Sequence, residues 1–246
     1  MPELECIVPR RITDRHVIRG FTTRLGGVSP APFDSLNVGS RTGDDRANII
    51  ENRRIIYRCT GVDERNVALM SQVHGSSVRV ARSGGVFEET DGLVTAETGI
   101  MLCIIVADCI PLLLYDPLTA VIGAIHCGWR SIVDGIAEKA LDVMGDRFST
   151  CPDTVIAAMG PSAGPCCYEV GDDVARLLHD GSVRHDNGRL FADLRAELCR
   201  RLVQAGVLPE NIERFDDCTI CNESRYFSHR RDGNNAGRMM GFIMLK

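Results

Sequence analysis

Residues 100–130 read IMLCIIVADCIPLLLYDPLTAVIGAIHCGWR, and their pattern decides the fold class. Within them Ile100–Ala107, Pro111–Tyr115 and Val121–His126 are β-rich, and the two runs around Ile104 and Ile122 are nearly all apolar. A strand with one wet face alternates polar and apolar positions, whereas a continuous apolar run of this length suits a strand buried on both faces. The strands come in clusters with tight turn signals such as Asp116-Pro117. That favours a mixed or antiparallel sheet arrangement over a regular βαβ array.

Outward from this centre, Val17–Thr23, Val67–Met70 and Val78–Ala81 read as further strands. Helical patterns interrupt them at Asp45–Cys59, Ser131–Phe148, Asp172–His179 and Asp193–Ala205. In the last, Leu194, Leu198 and Leu202 recur at four-residue spacing behind Asp193, a good N-cap. The class is mixed α/β. No Gly-rich dinucleotide fingerprint follows any strand, and there is no internal repeat or low-complexity linker. The longest irregular stretches are Gly26–Asp44 and Gly160–Gly171, so a single domain over residues 1–246 is the economical expectation.

A chain of 246 residues with 44% hydrophobic residues can bury a sizeable core. Its net charge of −5 and scattered arginines argue against a nucleic-acid backbone as ligand and leave small molecules as the better expectation. Pro2, Glu3, Glu5 and Pro9 interrupt any apolar run in the first eleven residues, which predicts neither a signal peptide nor a membrane span and a cytoplasmic protein. The odd count of 11 cysteines then reads as reduced thiols, not a disulfide scaffold. Cys6, Cys59, Cys103 and Cys199 stand among apolar neighbours and are expected to behave as small buried hydrophobes.

Three polar residues close or follow apolar strands: His74 in Gln72-Val73-His74-Gly75, Cys109 in Ala107-Asp108-Cys109, and His126 in His126-Cys127-Gly128-Trp129-Arg130. Strand ends leading into loops are good mounts for a site, because the sheet fixes geometry and the loop leaves access. Two imidazoles and a thiolate form a catalytic zinc set with an open fourth position. A lone histidine is more often a hydrogen-bonded core or surface residue, and the spacing of these three does not by itself decide between the readings. Cys218-x-x-Cys221 with His229 offers half of a structural zinc site, but no second pair stands at suitable spacing. The neighbours Cys166 and Cys167 are expected to be reduced, since adjacent cysteines bond to each other only through a strained ring.

These segments resemble the YfiH-type laccase-domain family, also called polyphenol oxidase-like or purine nucleoside phosphorylase family, along nearly the whole chain. The resemblance is carried by Phe21-Thr22-Thr23-Arg24, Ser35-Leu36-Asn37-Val38-Gly39, Gln72-Val73-His74-Gly75 and Asp91-Gly92-Leu93-Val94-Thr95. It continues through Ala107-Asp108-Cys109, Gly128-Trp129-Arg130, Cys166-Cys167-Tyr168-Glu169-Val170, Cys218-Thr219, Phe227-Ser228-His229-Arg230-Arg231 and Gly237-Arg238. It implies a mixed β-sheet sandwich flanked by helices and a metal, zinc or in its place copper, on His74, Cys109 and His126. It also makes Cys218 a site-wall residue. Where the family usually has Ala, Gly and Thr, this chain has Cys127, Ser131 and Ala236. Strand alternation points Cys127 to the face opposite His126.

The implied activity is phosphorolysis of adenosine, inosine, guanosine and methylthioadenosine, with adenosine deamination beside it; the implied partners are purine nucleosides and inorganic phosphate. Deamination at purine C6 suits a metal that activates water. Phosphorolysis needs a cation-lined anion site. Arg24 and Arg130 are the candidates, because guanidinium grips phosphate in bidentate fashion, and Gly128 to Ser131 can open a helix whose N–H groups favour an anion; a structural ion pair is the alternative for either. Asp108 serves as acid or base, or orients a ligand by a supporting hydrogen bond, the role that alternation favours. Gln72 and Asn37 are candidate base or ribose contacts, although Asn more often closes a turn. Six histidines without a His-x-His pair cannot furnish a multicopper oxidase, so phenol oxidation ranks below nucleoside chemistry. The rival classes are a cysteine hydrolase using Cys109 activated by His126, and a noncatalytic, metal-stabilised interaction protein.

Overall fold

Met101–Val106, Ile110–Asp116 and Val121–Cys127 are all strands in the computed structural model, which describes residues 4–246. They do not share one sheet. Met101–Val106 belongs to a six-stranded sheet in the order Cys6–Ile7, Val17–Thr22, Met239–Leu245, Met101–Val106, Val67–Met70, Gly85–Phe87. Ile110–Asp116 and Val121–Cys127 lie in a second six-stranded sheet, ordered Ile212–Arg214, Ile156–Met159, Ile110–Asp116, Val121–Cys127, Gly92–Thr95, Val78–Val80. Both sheets mix parallel and antiparallel pairs, as expected. A small antiparallel sheet of Glu169–Val170, Arg189–Ala192 and Val183–Asp186 stands apart.

Buried side chains explain why the central runs look apolar on both faces. One cluster fills the space between the two large sheets, with Phe21, Leu102, Ile104 and Ile243 from the first meeting Leu113, Ile122 and Ala124 from the second. The outer face of the second sheet, through Leu112, Leu114, Ile125 and Cys127, packs on helices Trp129–Val133, Ile136–Phe148 and Leu194–Gln204. The outer face of the first, through Met101, Cys103, Met240 and Phe242, packs on Ile56 and Tyr57 of helix Arg46–Thr60. The result is the expected sandwich with helices outside. Alternation holds along Val121–Cys127: Ile122 and Ala124 face the inter-sheet core, while Val121, Ile125 and Cys127 face the helices.

The helix starts follow their caps. Asp45 accepts from the Ala47 N–H at 2.8 Å, and Gly61 closes the same helix with φ of 73°. Asp193 caps Leu194–Gln204 by accepting from Ala196 at 3.0 Å. Two expectations need correction. The Ser131–Phe148 pattern breaks into Trp129–Val133 and Ile136–Phe148, because Gly135 adopts φ of 77°, which ends one helix and starts another. The Asp172–His179 pattern yields only Asp172–Ala175 before the chain turns off. The periodicity also missed Met239–Leu245, which pairs with Val17–Thr22 on one side and Met101–Val106 on the other and so sits inside the first sheet.

All eleven cysteines are free thiols. Cys103 is buried as expected, but Cys59 is exposed near the end of its helix, and Cys6 and Cys199 are half-buried. Among the described residues no helix is long and apolar enough to cross a membrane. Pro2 and Glu3 lie outside the described residues.

Glu197 anchors the helical layer. Its buried carboxylate accepts from Arg200 and Arg201, from the Ser182 hydroxyl at 3.0 Å and from the His179 N–H at 3.2 Å. Burial alone would raise its pKa, but these donors outweigh it and hold the group at about 2, against 4.5 in a free chain. A depressed carboxylate contributes stability that is complete above the unfolded value and is lost as pH falls through the folded one. Glu197→Gln is therefore expected to cost on the order of 2–3 kcal/mol at pH 7. The difference from wild type should shrink below pH 4.5 and vanish near pH 2. Urea titrations at several pH values check this; a pH-independent difference rules out the charge as the cause.

Candidate metal centre

The sheet topology brings distant residues to one end of the sandwich. Val67–Met70 and Met101–Val106 run parallel, so their C-terminal ends lie side by side. From each of these ends the chain crosses from the first sheet to the second, through residues 71–77 in one case and 107–109 in the other. His74 and Cys109 lie on these two crossings. Gln72 locks them together: its side-chain amide donates to the Ile105 carbonyl at 2.9 Å and accepts the Ile105 N–H at 2.8 Å, extending the parallel pairing by a side chain. In the second sheet Pro111 stands opposite His126, which places the end of the third apolar run beside the 107–109 turn.

The ligand atoms of His74, Cys109 and His126 consequently all lie within 4.8 Å of one another. The imidazoles meet edge-on, with centroids 4.8 Å apart and planes at 76°. Gly128 closes the floor of the cluster. A Cβ there would stand 3.1 Å from His74 Cδ2 and 3.3 Å from Cys109 Sγ, so a side chain would fill the space around the three donors. That open cradle, with two imidazole nitrogens and a thiol converging on it, fits a thiophilic divalent ion.

Asp91 orients the donors. Its Oδ1 accepts the His74 N–H at 3.0 Å and pairs with His126 Nδ1 at 2.8 Å, and its Oδ2 accepts the N–H groups of Val73 at 3.2 Å and Gly75 at 2.9 Å. With Nδ1 engaged, His126 has Nε2 left to face a ligand, the usual carboxylate–histidine arrangement of metal sites. Burial opposes the charge on Asp91, but the His126 bond and the backbone donors prevail and hold its carboxyl below the usual range. His74 itself has φ of 60°, an uncommon conformation that the Asp91 bond to its N–H helps to hold.

Cys109 and His126 shift each other in opposite directions. Burial would raise the Cys109 thiol, yet the charge of His126 and hydrogen bonds from both imidazoles bring it down to about 6. Burial would lower His126, yet Cys109 and Asp91 raise it to about 9. The free cluster thus favours a thiolate beside an imidazolium. Cys127, fully buried on the opposite face, has its thiol pushed well up by burial, and it offers no competing ligand.

Asp108 occupies the tip of the 107–109 turn with φ of 85°. One carboxylate oxygen accepts the Thr219 hydroxyl at 2.6 Å and the other the Arg230 N–H at 2.7 Å, while its carbonyl accepts the Ala163 N–H at 2.9 Å. Both of its carboxylate oxygens are thus engaged within the chain. The alternation argument for a supporting role does not apply, because residues 107–109 lie outside both flanking strands.

Three of the expected substrate contacts have partners within the chain. Arg24 gives its guanidinium to Asp34, the Glu223 carbonyl at 2.9 Å and the face of Phe227 at 4.5 Å, so it is the structural ion pair that stood as the alternative. Asn37 is fully buried and closes its loop through Thr42, Asp44 and the N–H groups of Gly39 and Arg238. Gln72 spends both amide atoms on Ile105. Arg130 remains available: it is exposed, stacks on Trp129 at 4.2 Å, and makes no ion pair among the described residues. The helix expected to open at Gly128 does so, although it spans only Trp129–Val133.

Sequence reasoning missed Arg41 and Arg238, which line one cleft of about 490 Å³ with Thr42 and Asn234. Arg41 reaches Ser71 Oγ at 2.9 Å, three residues before His74. Burial lowers the pKa of Arg238, opposed by the charges of Asp108 and Cys109, which ties this cleft electrostatically to the cluster. The Gly237-Arg238 motif was the available signal for one of them; Asp91 had a similar signal in Asp91-Gly92 ahead of an apolar strand.

Comparison with known proteins shows the family. A family profile described as multi-copper polyphenol oxidoreductase laccase matches residues 18–246. The chain belongs to this laccase-like family. Within it, the chain is 34% identical over 244 residues to purine nucleoside phosphorylase YlmD of Geobacillus stearothermophilus, covering 92% of this chain and 89% of that one. It is 38% identical over 233 residues to a purine nucleoside phosphorylase of Deinococcus radiodurans, at 93% and 89% coverage. The crystal structure of YlmD from Geobacillus stearothermophilus superposes with a TM-score of 0.91 at 32% identity, over 97% of this chain and 94% of that chain. These matches bear out the resemblance read from the motifs. The laccase-like family name is not matched by a multicopper ligand set: among the described residues, only His74 and His126 of the histidines belong to a metal-type cluster.

Proposed function

We propose that this chain is a zinc-dependent purine nucleoside phosphorylase, acting on adenosine, inosine, guanosine and methylthioadenosine, with adenosine deamination as a side activity. The observation that carries the reading is the His74–Cys109–His126 cradle beside arginine side chains, in a chain whose relatives bear the phosphorylase name. A zinc ion held there supplies an electrophilic cation with room for one further ligand.

The chain's own residues then have separable tasks. In phosphorolysis an oxygen of inorganic phosphate bonds to C1′ of the nucleoside, the bond from C1′ to the base nitrogen breaks, and the base leaves with the electron pair and takes a proton. Arg130 is the proposed phosphate clamp: its guanidinium is free of ion pairs among the described residues and Trp129 holds its plane. Arg41 and Arg238 add positive charge in the neighbouring cleft. Asp91 and Asp108 position ligand-bearing segments, as their hydrogen bonds indicate.

The test is phosphate dependence. Nucleoside consumption should require phosphate and yield ribose 1-phosphate in step with free base. Arg130→Lys should retain its metal but lose roughly 10–100-fold in phosphate-dependent turnover, because lysine presents a point charge in place of a planar fork. Deamination, which uses water, should fall less. Base release without any sugar phosphate at saturating phosphate retires the phosphorylase reading, and equal losses in both reactions make Arg130 a support for the Trp129 loop instead.

A further inference from the structure

The structure supplies the pair that the Cys218-x-x-Cys221 motif lacked. Cys166 and Cys167, about fifty residues earlier, fold against it, and the four sulfurs all lie within 4.8 Å of one another. Cys221 Sγ is 3.1 Å from Cys167 Sγ and 3.4 Å from Cys166 Sγ. His229 is not part of the group, since its ring nitrogen bonds the Gly233 carbonyl at 2.9 Å. We propose that Cys166, Cys167, Cys218 and Cys221 form a second, structural zinc site, independent of the His74–Cys109–His126 centre.

The spacing argues for a single ion. Four sulfurs at about 2.3 Å around a tetrahedral zinc stand about 3.8 Å apart, and the observed cluster brackets that separation. An iron–sulfur cluster does not fit, because sulfurs bound to different irons are held apart by the bridging sulfides, whereas all four sulfurs here lie within 4.8 Å of one another. Nor does apolar packing explain the group: Cys166 and Cys221 are exposed, and only Cys218 is buried. The Gly164 N–H already points at Cys218 Sγ at 3.2 Å, a donor suited to a thiolate ligand. A disulfide would need an oxidant and would use two of the four thiols, whereas one zinc ion uses them all and releases only their protons.

The placement gives the site a structural purpose. Its ligands come from the irregular 160–171 stretch and the 216–231 segment, which are also joined by an isolated bridge between Ser162 and Cys218 and by Arg230, which donates to the Glu169 carbonyl at 2.7 Å and lies over the Tyr168 ring at 4.7 Å. Both segments also grip Asp108, through Ala163 on one side and Thr219 and Arg230 on the other. A zinc clip here would fix the wall behind Cys109.

X-ray absorption at the zinc edge of Cys109→Ala protein, with its first centre emptied, tests the proposal. One zinc per chain with four sulfur neighbours at about 2.3 Å is expected. Wild type should carry two zinc ions, falling to one in either Cys109→Ala or Cys221→Ser, and Cys166→Ser guards against a folding failure in the latter. In the Cys221→Ser and Cys166→Ser proteins the remaining zinc should show mixed nitrogen and sulfur neighbours. Zinc-free Cys109→Ala protein after equilibration with zinc, or a Cys167–Cys221 disulfide in peptide maps of the metal-loaded chain, overturns it.

Discussion

Cys109→Ala protein is expected to lose the metal of the His74–Cys109–His126 centre and, with it, nucleoside turnover down to background. The thiolate is the only charged donor of the proposed set, and its pKa near 6 makes it available at neutral pH without a strong base. The two imidazoles that remain would form a neutral two-ligand site, to which zinc binds far more weakly. The loss should exceed the roughly 10–100-fold that removal of an outer hydrogen-bond partner costs. The fold should survive, because the turn that carries Cys109 is held by Asp108 contacts that do not involve the thiol. Metal analysis after chelation and reloading, with circular dichroism as the control for folding, measures this. Full occupancy and full activity in the variant mean that the centre lies elsewhere. A variant that loses the metal of this centre while metal-free wild type still turns over substrate, with Cys109 rapidly alkylated, supports the cysteine-hydrolase reading instead.

Asp91→Asn is the second large effect, and it separates orientation from ligation. Asp91 is fully buried and meets only donors: His74 N–H and His126 Nδ1 at one oxygen, Val73 and Gly75 N–H at the other. Asparagine offers one acceptor oxygen and an NH₂ group. In either flip the NH₂ faces two donors, so two buried or part-buried donors lose their partner against a buried side chain. The expected cost is roughly 2–4 kcal/mol of stability. Metal affinity should also fall about 10–100-fold, because His126 loses the carboxylate that fixes its tautomer and raises its basicity. Denaturant titration of the metal-free protein reads the first effect and competition with a chelator of known affinity reads the second. A fall in stability with unchanged metal affinity would make Asp91 a brace for the 73–75 loop and nothing more.

Local pattern carried much of the fold. Val67–Met70 matched its expected bounds, and Ile110–Asp116, Val121–Cys127 and Arg46–Thr60 came within a residue or so at each end, because buried strands and capped helices advertise themselves in period and cap. Met239–Leu245 was overlooked although its run is as apolar as any, and nothing local told that it would enter the middle of a sheet between two strands that stand far earlier in the chain. The broken helix at Gly135 depended on a single residue's left-handed backbone within a continuous helical period.

The same division runs through the site. Residue chemistry and strand-end position made His74, Cys109 and His126 candidates before any contact was known, and the family resemblance joined them as one ligand set. The sequence by itself could not show that two crossings between sheets leave from adjacent parallel strand ends, which is what brings His74 beside Cys109. Nor could it reveal Asp91 as the hub of four donors, the inward commitment of Arg24, Asn37 and Gln72, or the meeting of Cys166-Cys167 with Cys218-x-x-Cys221. Periodicity and caps are properties of neighbours along the chain, so composition and pattern determined the class, the layers and the kinds of donor. Partnership between residues tens to hundreds of positions apart is set by how the sheets close on each other, and only the tertiary structure decided it.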